Sequence, residues 1–181
     1  PNTGDGAGIL IQIPHEFFAS EAARLGFKLP AAGQYGVGQV FLPQVPEQRE
    51  QVKTAFAKIV AAEGQTLLGW RDVPVNNSSL GKSAVAVEPF MAQVFIGRGA
   101  SIQDEAAFER RLYIIRKLAE QQIHYANSVP GGDWLYLPSL SARTLTYKGM
   151  LMSEQVEKYY DDLRNPAVTT AFALVHSRFS T

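Results

Sequence analysis

The sequence has 181 residues, of which 46% are hydrophobic and 19% charged, a composition typical of a soluble globular domain large enough to bury a core. Seventeen basic residues balance seventeen acidic ones, so charge draws it neither to nucleic acid nor to an anionic membrane. Cysteine is absent, which excludes disulfides, thiolate metal sites and a thiol nucleophile within these residues.

The sequence opens on Pro1 without an initiator methionine, and it contains no signal sequence and no apolar run long enough to span a bilayer. We therefore expect an intracellular, soluble protein that is cut from a longer chain.

Strands and helices alternate along the chain and are predicted from periodicity and end signals. The apolar run 8–13 predicts a strand buried on both faces. The predicted strands are 8–13, 38–42, 66–71, 91–97, 134–140, 143–151 and 170–181. Predicted helices begin at Pro14 and Pro46, a third follows Ser101-x-x-Asp104, a fourth is capped by Ser153, and a short helical turn is possible from Leu80. Element order alone would favour a parallel α/β sheet.

The longest helix is predicted to follow Ser101 and Asp104, which have the spacing of a capping box. It should run to about Asn127, with an inward apolar stripe that includes Phe108 and Leu112. Its basic residues alternate with this stripe and with acids, which favours a solvated helix face over an anion site.

The glycine-rich segment 2–8 resembles a phosphate cradle in composition only. A dinucleotide fingerprint follows a strand and opens a helix, whereas here a strand comes next. We interpret the segment as a tight loop in which glycine allows close approach of the backbone. His15, His124 and His176 are far apart and lack partners at metal-binding spacing, apart from Glu120 for His124, so no metal site is expected.

The terminal segment 176–181 is the strongest candidate for a site. A strand would place His176, Arg178 and Ser180 on one face of an otherwise apolar strand. A guanidinium there needs an acceptor, because a buried unpaired charge is very costly. That acceptor is either a structural carboxylate or the carboxylate of a substrate, which the arginine fork fits in bidentate geometry.

Four segments, in order and spread from end to end, resemble the class II glutamine amidotransferase domain of the glutamate synthase large subunit. They are TGDGAGILIQIPH (3–15), LGWRDVP (68–74), SARTLTYKGML (141–151) and HSRFST (176–181). The last of these alone is typical of class II amidotransferases in general, and the other three indicate the glutamate synthase branch.

The resemblance implies an α+β fold of the N-terminal nucleophile hydrolase type, a four-layer αββα arrangement with two stacked antiparallel sheets. Residues 1–181 would be part of one such domain, without its N-terminal nucleophile segment and its C-terminal portion. We follow this expectation rather than the parallel sheet.

The resemblance also implies a chemistry. In this family an N-terminal cysteine attacks the side-chain amide of glutamine, its α-amino group acts as the base, and an Asn-Gly pair stabilises the oxyanion. Arg178 matches the arginine that binds the glutamine α-carboxylate, Thr181 matches a nearby hydroxyl, and His176 and Phe179 would be supporting residues. The nucleophile is expected upstream of Pro1 and the Asn-Gly pair downstream of Thr181, so the fragment alone is expected to be inactive.

In the full enzyme the resemblance implies FMN and an iron-sulfur cluster, both outside this fragment, and a synthase region of the same polypeptide that uses the ammonia to convert 2-oxoglutarate to glutamate. The electron donor would be NAD(P)H through a small subunit, or ferredoxin, and the location cytoplasmic, or plastid in a eukaryote. The competing interpretation is a non-catalytic α/β ligand-binding or interaction domain in which Arg178 forms a structural ion pair.

Overall fold

The computed structural model describes residues 6–177. Within this range the chain forms seven strands and five α-helices. The strands are β1 (Ala7–Gln12), β2 (Tyr35–Leu42), β3 (Thr66–Asp72), β4 (Phe90–Gly97), β5 (Tyr136–Ser141), β6 (Thr144–Gly149) and β7 (Ala173–His176). The helices are α1 (His15–Arg24), α2 (Pro46–Ala62), α3 (Lys82–Ala86), α4 (Glu105–Ala119) and α5 (Ser153–Tyr159).

The strands form two antiparallel sheets. Sheet A has the order β6-β1-β7, and sheet B has the order β3-β4-β2-β5. The α+β architecture with two antiparallel sheets is therefore confirmed, and the parallel sheet suggested by element order is wrong. Helix α2 does join two strands that run in the same direction, but β4 lies between them and pairs with both in the antiparallel sense.

Two apolar clusters hold the layers together. In the first, α2 and α4 cover one face of sheet B, with Phe56 and Leu112 fully buried against Val94. The second lies between the two sheets and includes side chains of α1 and α5, among them Phe18 and Tyr159. Burial of these apolar side chains is the main force that holds the layers together.

Strand β1 differs from its prediction. Ile11 is buried, but Ile9 and Leu10 are only half-buried and Gln12 is exposed. The strand lies in the middle of sheet A, so its backbone is paired on both sides. Among the described residues, however, only the face with Ile9 and Ile11 belongs to the inter-sheet cluster, and the expected burial of both faces is wrong.

Helix α4 also differs in detail. Its N-cap is Asp104, whose carboxylate accepts a hydrogen bond from the backbone N–H of Ala107 at 2.7 Å. Ser101 takes no part in the cap. The helix continues past Ala119 as one turn of π-helix, Glu120–Tyr125, which buries Ile123 as the apolar stripe predicts.

Two other predicted boundaries shift. Trp134 ends a 3₁₀ turn rather than opening β5. Helix α5 is capped from Met152 instead of Ser153, with the Gln155 side chain accepting from the Met152 N–H at 2.8 Å. A 3₁₀ turn, Asp161–Arg164, follows α5 and leads toward β7.

Candidate functional site

Strand β7 is the described part of the segment that the sequence singles out. It pairs only with β1 among the described residues, and its register places His176 opposite Gly8 and Val175 opposite Ile9. All four residues of β7 are exposed. Of the predicted site residues only His176 is described, because Arg178, Phe179 and Thr181 lie outside residues 6–177. Their roles remain predictions.

His176 lies against a glycine. A Cβ on Gly8 would stand 2.7 Å from His176 Nε2 and 2.6 Å from Lys148 Cβ, closer than real side-chain atoms approach. Lys148 is the partner of Gly8 on the opposite side, in β6. Glycine is therefore needed at position 8 so that the side chains of the two outer strands can lie close together across β1.

A cavity lies beside β7 and is lined by residues from both faces of the strand. His176 shares its face with Gly8 and Lys148. Val175 borders this cavity of about 580 Å³, which has aliphatic side chains in its wall, among them Ile9, Val156 and Leu163, and Gly8 and His176 line the same cavity.

The prominent buried charge of the structure is Arg71 on β3, which the sequence analysis assigned no role. Its side chain is 2% exposed and forms a two-pronged ion pair with Asp162, with distances of 2.7 Å from Nη2 to Oδ1 and 2.8 Å from Nη1 to Oδ2. Its Nε donates to Glu21 Oε2 at 2.7 Å. The acceptor requirement argued for Arg178 thus applies to Arg71, and Asp162, 91 residues away, could not be identified from spacing.

The network continues through neutral groups in both sheets. Gln93 of sheet B accepts from Arg71 at 3.0 Å and donates to the hydroxyl of Tyr147 of sheet A at 3.1 Å. The Tyr147 hydroxyl in turn donates to Asp162 Oδ2 at 2.8 Å. These contacts connect the two sheets and the 3₁₀ turn after α5 at one buried point.

The charges of this network are stabilised by their partners. Burial acts to lower the pKa of Arg71, but the hydrogen bonds and the negative charge of Asp162 outweigh it and raise the pKa above its ordinary value. Burial and the Asp162 carboxylate raise the pKa of Tyr147 well above its usual range. For Glu21, the hydrogen bond from Arg24, with a further one from Arg71, lowers the pKa to about 2 against the opposing effect of burial. Arg71 and Glu21 are therefore charged, and Tyr147 protonated, near neutral pH.

The chain does not supply the ligands of an iron-sulfur cluster, because such clusters are held mainly by cysteine thiolates and the 181 residues contain none. No group of three or more His, Asp or Glu side chains within residues 6–177 is arranged to hold a metal ion. Over the same range, no helix is both long and apolar enough to cross a membrane.

The α+β fold of two antiparallel sheets is consistent with a class II amidotransferase. The whole sequence, residues 1–181, matches the family of class-II glutamine amidotransferases. The chain belongs to this family.

Within the family, the chain is similar to glutamate synthases along its whole length. It is 46% identical over 181 residues to the glutamate synthase [NADPH] large chain of Bacillus subtilis, covering 100% of this chain and 11% of that protein. It is 40% identical over 180 residues to the chloroplastic ferredoxin-dependent glutamate synthase of Oryza sativa (99% and 11%) and 38% identical over 183 residues to the glutamate synthase [NADH] of Schizosaccharomyces pombe (98% and 8%). The chain thus spans 8 to 11% of the length of these relatives.

Proposed function

We propose that this chain is part of the glutaminase domain of a glutamate synthase and contributes the residues that bind the α-carboxylate of L-glutamine. The observation that carries the proposal is the family match over all 181 residues together with the HSRFST segment at its end. Arg178 forms the bidentate contact with the carboxylate, Thr181 adds a hydroxyl, and His176 and Phe179 support them.

The reaction is hydrolysis of the glutamine side-chain amide to glutamate and ammonia. It requires a nucleophile, a base and an oxyanion site. With no cysteine in the sequence, the thiol must come from another part of the polypeptide. We therefore expect the 181-residue chain by itself to hydrolyse no glutamine, and measurable turnover by the purified chain would contradict this assignment.

In the full enzyme the ammonia is used by a synthase region of the same polypeptide for the reductive amination of 2-oxoglutarate. FMN and an iron-sulfur cluster belong to that region, consistent with the lack of cluster ligands here. The relatives are named for three different electron donors, NADPH, NADH and ferredoxin, and all three align with this chain over almost its whole length. The choice of donor is therefore made elsewhere in the enzyme. We place the enzyme in the cytoplasm, or in a plastid if the source is eukaryotic.

The test is Arg178→Lys in the full-length enzyme. Lysine keeps the charge but loses the fork, and the weaker contact corresponds to about 1.5 to 3 kcal/mol, or roughly a 10- to 150-fold lower kcat/KM for glutamine. Synthesis of glutamate from added ammonia bypasses the glutamine site and should be unchanged.

Arg164→Lys is the matched control, since Arg164 is an exposed arginine of the 3₁₀ turn paired with Asp161. It should leave kcat/KM for glutamine within about 2-fold, as expected for a surface ion pair. An Arg178→Lys enzyme with wild-type kcat/KM for glutamine would show that the carboxylate is bound elsewhere.

A further inference from the structure

We propose that Gln12, at the end of β1, is a positioning residue for the glutamine site, because it fixes the register of β7 and so decides which face of that strand carries His176, two residues before Arg178 in the sequence. The inference rests on the proposed function of Arg178. It concerns residues to which neither the resemblance nor the family match gives a role.

Gln12 binds the chain immediately before β7 through two hydrogen bonds. Its backbone N–H donates to Thr170 Oγ1 at 3.0 Å, and its side-chain Oε1 accepts from the backbone N–H of Ala171 at 3.0 Å. The Thr170 hydroxyl also donates to the carbonyl of Phe172 at 2.6 Å. The two partners are about 158 residues apart in sequence, so these contacts fix where the returning chain meets β1.

Apolar burial does not select this register among the described residues. A strand's register is normally set by the need to bury one face, and a slip of one residue exchanges the two faces. Leu174 and Val175 are both aliphatic and are 64 and 76% exposed, so a slip would exchange them with little loss of buried area. His176, by contrast, would lose its place over Gly8 and move to the opposite face.

The segment that leads to Thr170 and Ala171 begins at Asp162, which the buried ion pair with Arg71 holds in place in the 3₁₀ turn. The side chain of Asn165 then accepts from the Ala167 N–H at 2.9 Å in a local turn. The segment from Asp162 to Ala171 is thus anchored at both ends, and the Gln12 contacts are the anchor next to β7.

A slip of one residue places His176, a proposed supporting residue of the site, on the wrong face. The apparent KM then rises as the inverse of the correctly paired fraction. Loss of one net hydrogen bond changes such an equilibrium by about 2- to 10-fold. The intrinsic rate of amide cleavage by correctly paired molecules is unchanged, so the effect appears in KM more than in kcat.

The experiment compares pairs of variants in the full-length enzyme. Gln12→Met removes the acceptor at nearly constant length, and Gln12→Glu keeps an oxygen that can accept from Ala171. Thr170→Val removes the hydroxyl, and Thr170→Ser keeps it. We expect Gln12→Met and Thr170→Val each to raise KM for glutamine, by at most about 10-fold, with kcat and the ammonia-supported rate within about 2-fold of wild type. Gln12→Glu and Thr170→Ser should restore a near wild-type KM.

Gln44→Met is the matched control, because the exposed amide of Gln44 also makes a long-range hydrogen bond, to the carbonyl of Glu88, but next to strands β2 and β4 of sheet B and not in sheet A. It should not change KM for glutamine. Arg178→Lys, measured alongside, separates the two proposals.

If Arg178→Lys raises KM and both Gln12→Met and Thr170→Val leave it unchanged, the register inference is wrong and the proposed function stands. If Arg178→Lys also has no effect, the proposed function fails and the inference with it. Equal effects of Gln12→Met and Gln12→Glu, or a parallel loss of the ammonia-supported rate, would indicate a general structural defect and overturn the inference.

Discussion

Replacing Asp162 by asparagine isolates the energetic role of the buried ion pair. The substitution keeps the size of the side chain but removes its charge, and its amide group would point hydrogens at the guanidinium of Arg71. Both side chains are nearly inaccessible, at 2 and 3% exposure, so water cannot replace the lost partner. Arg71 would retain Glu21, which contacts its Nε at 2.7 Å.

Breaking a buried pair by removing one partner costs about 3 to 5 kcal/mol, because the other charge is left uncompensated. The remaining Glu21 contact places our expectation near the lower end, at about 3 kcal/mol. Asp161→Asn provides the control in the adjacent residue, since its ion pair with Arg164 is about half exposed. Such a surface pair contributes about 0 to 1 kcal/mol.

Equilibrium unfolding in urea of the two variants and the parent chain measures the difference. The midpoint should fall for Asp162→Asn at an unchanged slope, which would show that stability and not the two-state character has changed. A loss of about 3 kcal/mol is large against a typical total of about 5 to 15 kcal/mol. Equal stability of Asp162→Asn and Asp161→Asn would refute the argument that the pair is held in a low-dielectric core.

Two further pairs of substitutions test local geometry by the same unfolding measurement. Gly8→Ala should destabilise the protein by about 1 to 3 kcal/mol, because the new methyl group would overlap His176 and strands β6 and β7 would have to separate. Gly97→Ala, where the nearest atoms belong to a flexible leucine side chain, should be milder, and the reverse order would contradict the close approach across β1. Asp104→Ala should lose about 1 kcal/mol of helix capping, whereas Ser101→Ala should lose none; a loss confined to Ser101→Ala would show that the capping box predicted from the sequence forms after all.

Most helices and strands could be predicted because their signals are local. Helix α2 begins at Pro46 and stops before Gly64, as its proline, apolar stripe and glycine indicate. The capping residue of α4 was harder to predict, because Ser101 and Asp104 both carry side-chain oxygens that can accept a hydrogen bond. Only the backbone conformation shows that Asp104 is the one that reaches a free N–H of the first turn. The outward position of β7 was also missed, because an apolar sequence does not reveal how much of its surface the neighbouring elements cover.

By itself, the sequence determined the family, the likeness to glutamate synthases and the identity of the residues proposed to bind glutamine, because these depend on residue types in a fixed order. The tertiary structure decided which strands are neighbours and which charges are buried. Strands β2 and β3 run in the same direction but are not neighbours, because β4 lies between them and pairs with both. This pairing joins residues far apart in the sequence, so only the tertiary structure shows it. The partners Arg71 and Asp162, like Gln12 and Thr170, are far apart in sequence and meet only when the sheets pack, since hydrogen bonds and ion pairs depend on distances in space that no local pattern encodes.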